Sequence, residues 1–168
     1  MSSRTAGTAG LLCCLALVMV VALLTQRSGA AGGEPPTFPP IRTAIRNWQQ
    51  GSPHKGDWGE MRTYFYGQTQ ATTEVLAAVT VLQPGKAPHG AHRHGCEEYL
   101  MITEGEGVWL LDGKEIPAKK GDMLYTEPWV FHGIRNTGDK PLTMVVFKYT
   151  GKGVKAPPRP ADGKPDEP

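Results

Sequence analysis

Between Trp58 and Thr150 the chain is cut into short runs rich in β-branched and aromatic residues: "MRTYFYG", "EVLAAVTVLQ", "EEYLMIT", "GVWLLDG", "GDMLYTE", "VFHGIRN" and "PLTMVVFKY". Gly, Pro, Asn or Asp recurs between them every eight to twelve residues. That rhythm predicts an all-β sandwich or barrel over residues 58–150, with no long amphipathic helix. Asp112-Gly113 predicts a two-residue hairpin, and Gly105-Glu106-Gly107 a second tight reversal. Within "EEYLMIT", side chains alternate across a strand, so Glu98 shares a face with Leu100 and Ile102 while Glu97 and Tyr99 look the other way.

The flanks read differently. The N-terminus carries Arg4, then an uncharged apolar stretch from Leu11 to Leu24, then small residues with Ser28 and Ala30 spaced for signal-peptidase cleavage. This predicts a secretory signal over residues 1–30. The alternative is a retained membrane anchor, because Thr5 to Gln26 is uncharged and long enough to span a bilayer. Cys13 and Cys14 lie inside the apolar stretch without the small-residue approach of a lipoprotein box and read as apolar filler. Either way the folded part is expected outside the cytoplasm, periplasmic, secreted or held at the membrane with the barrel outside. Residues 31–57 begin "AGGEPPTFPPI" and read as a Pro-rich linker, with a short helical turn before Gly51 and Pro53. Residues 151–168, "GKGVKAPPRPADGKPDEP", have almost no apolar content and read as a disordered tail.

Composition narrows the function classes. The 168 residues hold 21 glycines and 15 prolines, which suits a turn-rich β protein. The formal charge is +2, and Arg4 and Arg27 alone account for it, so the remainder is neutral and no nucleic-acid partner is implied. Beyond the N-terminal segment Cys96 is the single cysteine, so no internal disulfide can form, and it reads as a thiol in a turn. A core of about ninety residues gains from pairing with a second copy, which makes a homodimer one expected assembly.

The chemistry concentrates in residues 89–107, "HGAHRHGCEEYLMITEGEG". His92 and His94 are two apart, so on a strand both imidazoles face one side, and Glu98 follows on the inward face of the next run. Two imidazoles and a carboxylate suit a divalent Fe, Mn, Ni, Cu or Zn ion. Histidines that merely share a loop give the same spacing. His54 and His89 read as loop residues.

Farther on, "GDMLYTEPWVFHGIRNTG" brings His132 and Asn136. Together the two stretches resemble the paired motifs of the cupin superfamily. The first motif is Gly, five residues, His-x-His, three or four residues, Glu, six residues, Gly. His92, His94, Glu98 and Gly105 match it, while Gly85 lies one residue too far upstream. The second is Gly, five residues, Pro-x-Gly, two residues, His, three residues, Asn. Gly121, His132 and Asn136 keep its spacing; Pro128 is displaced by one, and Trp129-Val130 stands where the motif has glycine.

The resemblance implies a double-stranded β-helix, or jelly-roll, barrel over roughly residues 60–150. It also implies one divalent transition metal ion bound by His92, His94, Glu98 and His132. Relatives with this ligand set include dioxygenases, decarboxylases, isomerases and lyases acting on small acids, sugars or phenolic molecules, and fold alone does not choose among them. Glu97, Tyr99, Trp109, Tyr125, Trp129, Lys148 and Tyr149 are candidates to line a pocket, though ordinary packing explains each. Gly121 and Asn136 read as turn-formers. Two functions follow as expectations: a metal-dependent, dioxygenase-like or isomerase/lyase enzyme acting on a small molecule, or a non-catalytic, metal-stabilised barrel that binds a small sugar or organic acid. A DNA-linked sensor is argued against by the predicted export signal and the lack of room for a helix-turn-helix.

Overall fold

The computed structural model describes residues 37–166. The predicted signal or anchor over residues 1–30 lies outside them. Among the described residues no helix is long and apolar enough to cross a membrane.

After one short 3-10 turn, Trp48–Gln50, come nine strands. They are β1 (Ser52–Gly56), β2 (Gly59–Gly67), β3 (Thr72–Leu82), β4 (Glu97–Glu104), β5 (Glu106–Leu111), β6 (Lys114–Lys119), β7 (Met123–Thr126), β8 (His132–Asn136) and β9 (Leu142–Gly151). Six form one antiparallel sheet in the order β1-β2-β3-β9-β4-β7, and three form a second in the order β6-β5-β8. The all-β, jelly-roll reading of the sequence is met.

Two local expectations change. Strand β1 pairs with β2 from Ser52↔Thr63 to Gly56↔Gly59, so the barrel takes in residues that composition assigns to the linker. Pro53 and Gly56 hid this strand, but β1 is a sheet edge, where a residue without an N–H is tolerated. His54 therefore sits on a strand, half-buried, its ring 5.7 Å from that of Trp58. The hairpin at Asp112-Gly113 forms as expected, with φ of 47° and 77°. Gly105-Glu106-Gly107, by contrast, carries the chain from β4 in one sheet to β5 in the other rather than folding it back. Gly105 has φ of 81°, and a Cβ there would lie 2.7 Å from the Pro141 carbonyl oxygen, so this crossing needs glycine.

Registers arrange the interior in rows. Residues directly opposite in an antiparallel pair share a face. Glu98 lies opposite Thr126 and Lys148, Leu100 opposite Leu124 and Val146, and Ile102 opposite Met144. From the second sheet, Trp109 lies opposite Ile134. Leu82, Leu100, Ile102, Trp109, Ile134, Leu142, Met144 and Val146 pack into one core. Each fully buried aliphatic contributes roughly 1.5–3 kcal/mol. The period of two then places polar residues at both ends of these rows. On β4, Glu98 precedes Leu100 and Ile102; on β8, His132 precedes Ile134 and Asn136.

Asn136 closes the far end. It is 0% exposed, its Nδ2 donates to the carbonyls of Leu82 (3.0 Å) and Lys140 (2.8 Å), and its Oδ1 accepts from the Gly138 N–H (2.9 Å). The turn-former reading of Asn136 thus has a physical content. Asn136→Ala leaves the buried Leu82 carbonyl short of a donor and is expected to cost about 3 kcal/mol. Urea denaturation would check this; a loss within experimental error would mean that the three bonds are replaceable.

Candidate metal centre

Four side chains meet at the near end of the rows. Glu98 comes from β4 of the larger sheet, His132 from β8 of the smaller, and His92 and His94 from the segment joining β3 to β4. One potential ligand atom from each lies within 4.8 Å of all the others. The expectation that His92 and His94 ride a regular strand is not met. The segment is held by a single bridge in which the His92 and His132 backbones exchange both N–H···O bonds, at 2.9 and 2.8 Å. Alternation survives nonetheless: Arg93, between the two, is 3% exposed and packs over the Phe131 ring on the outside.

The hydrogen bonds fix how the rings face. His132 Nδ1 donates to the Val130 carbonyl at 2.8 Å and His94 Nδ1 to the Cys96 carbonyl at 3.1 Å. A carbonyl only accepts, so both rings carry a proton on Nδ1, and each Nε2 meets Glu98 as a lone pair when its ring is neutral or as an N–H when it is charged. Those two Nε2 atoms lie 2.7 Å (His132) and 3.1 Å (His94) from the same oxygen, Glu98 Oε2. Lone pairs converging on a carboxylate repel unless a positive charge sits among them. The Nδ1 of His92 is buried with no hydrogen-bond partner, a further donor atom left open.

In the metal-free protein a proton on His94 supplies that charge. Burial opposes charge on His94, but hydrogen bonds to Cys96 and Glu98 outweigh it and raise its pKa to about 9. Burial likewise disfavours the Glu98 carboxylate, yet the hydrogen bonds to His132 and His94 hold its pKa below the ordinary range. Burial, and then the neighbouring His89, His132 and His94, push His92 down to about 2, so it stays neutral. Once His94 gives up its extra proton, three imidazoles and one carboxylate make the donor set of a divalent transition metal, and the arrangement fits such an ion.

His89 lies in a loop, exposed, with its ring 4.3 Å from that of His92. Cys96 is a free, half-buried thiol accepting from Thr150 Oγ1 at 3.4 Å. Among the pocket candidates, Tyr99 and Tyr125 are exposed and pack against each other at a tilt on the outer face, and Trp109 belongs to the core. Glu97 accepts from the Tyr149 hydroxyl at 2.5 Å, again on the side of its strand away from Glu98. Lys148 does face the centre: it pairs directly with Glu98 across β4 and β9, and its charge reaches His94. Across the other neighbour, Thr126 is 2% exposed and its Oγ1 is buried without a partner.

Trp129 takes the place of the motif's glycine and keeps the backbone glycine would favour, with φ of 69°. Its N–H donates to the His94 carbonyl at 2.8 Å, so the loop shape is kept despite the substitution. Sequence reasoning passed over Arg93 and Thr126. Alternation could have placed Arg93 opposite the histidines; nothing in the sequence marks its partners.

The Cupin domain family matches residues 78–148. A gentisate 1,2-dioxygenase from a Streptomyces species is 38% identical over 80 residues, which is 46% of this chain and 22% of that protein. An oxalate-binding protein from Thermotoga maritima is 42% identical over 68 residues, 40% of this chain and 55% of that protein. The chain thus spans only part of the curated relatives it matches. The crystal structure of a protein described as a predicted oxalate decarboxylase, also from Thermotoga maritima, superposes with a TM-score of 0.52 at 27% identity, covering 64% of this chain and 99% of that one. An RmlC-like cupin from Shewanella frigidimarina does so with a TM-score of 0.54 at 16% identity, over 67% of this chain and 95% of that one. The barrel is a cupin-like double-stranded β-helix.

Proposed function

We propose that this cupin-like barrel holds one divalent transition metal ion, Fe, Mn, Ni, Cu or Zn, on His92, His94, Glu98 and His132, and binds a small organic acid beside it. The observation that carries this reading is the convergence of two Nδ1-protonated imidazoles on a single buried carboxylate oxygen. A bound ion of this kind supplies Lewis acidity or, for a redox metal, electron transfer. The protein supplies the rest. Val130 and Cys96 orient two ligands, and the core beneath them excludes water. Lys148 offers a cation, and Thr126 Oγ1 an unpaired hydroxyl, on either side of Glu98. That pair favours a ligand with at least one carboxylate, as does the likeness to an oxalate-binding protein and to a gentisate dioxygenase.

Catalysis of a dioxygenase-like kind is the first reading, with isomerase or lyase chemistry next; binding without turnover is the alternative. The proposal also places the barrel outside the cytoplasm, on the strength of Arg4, the apolar run from Leu11 to Leu24 and the Ser28/Ala30 spacing.

The test begins with metal analysis by mass spectrometry on the whole chain, purified without a histidine tag. Near one ion per chain is expected. Oxalate and gentisate are then titrated while oxygen is monitored. Lys148→Met is expected to weaken oxalate binding about tenfold or more while leaving the metal content unchanged. Oxygen uptake with gentisate would select the enzyme, and binding without turnover of either acid the non-catalytic barrel. A stably folded chain that holds no metal and cannot be reloaded would end the proposal.

A further inference from the structure

The last described segment of the chain is tied to the back of the metal centre. Arg93 stands between the ligands His92 and His94 and turns outward, its side chain 2% exposed. Its guanidinium lies over the Phe131 ring at 4.7 Å, next to the third histidine. From outside it is gripped by the chain's own C-terminal segment. Asp162 takes both terminal nitrogens at 2.7 and 2.9 Å, Asp166 takes Nε at 3.0 Å, and the Lys164 carbonyl accepts at 2.8 Å. The Arg93 N–H also donates to the Asp166 carbonyl at 2.8 Å. A second tie reaches the other ligand loop: Trp129 Nε1 donates to the Pro157 carbonyl at 2.8 Å, and the Trp129 ring packs where a Cβ on Gly95 would lie, 3.0 Å away.

We infer that residues 157–166 are a strap that sets the positions of His92, His94 and His132 from behind, with Arg93 as the positioning residue. The inference rests on the proposed metal reading for its consequence, but its geometry does not. A buried guanidinium making four hydrogen bonds from its three nitrogens is rigid, and a bidentate Arg–carboxylate pair fixes direction as well as distance. Two adjacent ligands flank Arg93, so rotation of its backbone would swing both imidazoles. The strap also joins the two loops that carry the histidines, adding to the His92–His132 bridge, the Trp129 N–H to His94 carbonyl bond and the Arg93–Phe131 and Gly95–Trp129 contacts. A segment whose composition suggests disorder is thereby part of the site.

The experiment compares the whole chain with an Asp162→Asn/Asp166→Asn double variant, which keeps shape and removes charge, and with a chain ending at Lys155. Amide hydrogen exchange is read first, on metal-free protein. In both variants the amides of His92 and His132, which bond each other's carbonyls, are expected to exchange about tenfold faster or more, while those of Ile102 and Ile134 in the core are unchanged. Affinity for Zn(II) is read second, by competition with a chelator, and is expected to weaken about tenfold, the usual scale for groups that orient ligands. Unchanged exchange at His92 and His132 would overturn the strap, as would equal acceleration at Ile102 and Ile134. If the parent chain binds no metal yet the exchange differences appear, the metal reading fails and the strap stands.

Discussion

In a Glu98→Gln variant, metal affinity is expected to fall by about a hundredfold or more, roughly 2.7 kcal/mol, while the metal-free barrel loses about 1.5–3 kcal/mol at neutral pH. Glu98 is the one anionic donor among the four, and it is 7% exposed. Removing its charge takes away the strongest attraction a dication would feel, in surroundings that screen little. The amide keeps the shape, and its NH2 can donate to an Nε2 of His132 or His94 once that ring is neutral. The metal-free cluster therefore exchanges the charge-assisted bond between protonated His94 and Glu98 for a neutral one. His132→Ala should also release the ion but is a poorer probe, because it opens a cavity beside Ile134 and strands the Val130 carbonyl. Chelator competition and thermal unfolding in excess chelator check the two halves separately. Affinity within a few-fold of the parent would mean that Glu98 is not a ligand.

The second large effect is on pH. Metal affinity is expected to rise about tenfold per pH unit up to about pH 9 and then level off. The cause is the proton that stands in for the ion. With both rear nitrogens donating to carbonyls, the charge that reconciles the Nε2 atoms with Glu98 Oε2 is a proton, and the pKa of His94 is accordingly raised to about 9. An incoming ion displaces it, so one proton leaves per ion bound. Stability of the metal-free chain runs the opposite way over the same window. The folded pKa of His94 lies above its ordinary 6.5, so its contribution is fully present below about pH 6.5 and is lost as pH climbs toward 9. His92, held down at about 2, acts on the acid side: it stays neutral in the fold while the unfolded chain takes up a proton, so stability falls as pH drops below about 6.5. Chelator competition at several pH values, in buffers that do not bind metal, gives the slope. An affinity flat between pH 6 and 8 would show that no proton is displaced.

How much of this was legible in the sequence follows from the range of each interaction. The interior face of β4 could be read because a period of two is a local property: Glu98, Leu100 and Ile102 are buried and Tyr99 and Met101 exposed, as alternation requires. The hairpin at Asp112-Gly113 was legible because both residues tolerate left-handed backbone. Strand β1 was not, since its Pro53 and Gly56 carry turn chemistry and only its pairing with β2 makes it a strand. The four candidate ligands could be named as a set through two motifs, and the structure brings them together. What no local pattern could supply was the setting of that cluster. Lys148 faces Glu98 only because β9 lies beside β4, and Arg93 meets Asp162, 69 positions away in the sequence. Trp129 shows the limit from the other side: a motif written as glycine describes a backbone angle, and here a tryptophan held by its neighbours adopts it.

Glu98 and His132 belong to different sheets and lie 34 positions apart, so the two come within reach of each other only when the barrel has closed. An ion held between them would act as a cross-link added after assembly. Interactions of that kind leave the rate of folding almost untouched and slow the rate of unfolding. The described barrel has a single thiol, Cys96, and no disulfide. For such a chain the metal would set its lifetime, the hours or days a molecule survives before opening, more than its ease of assembly.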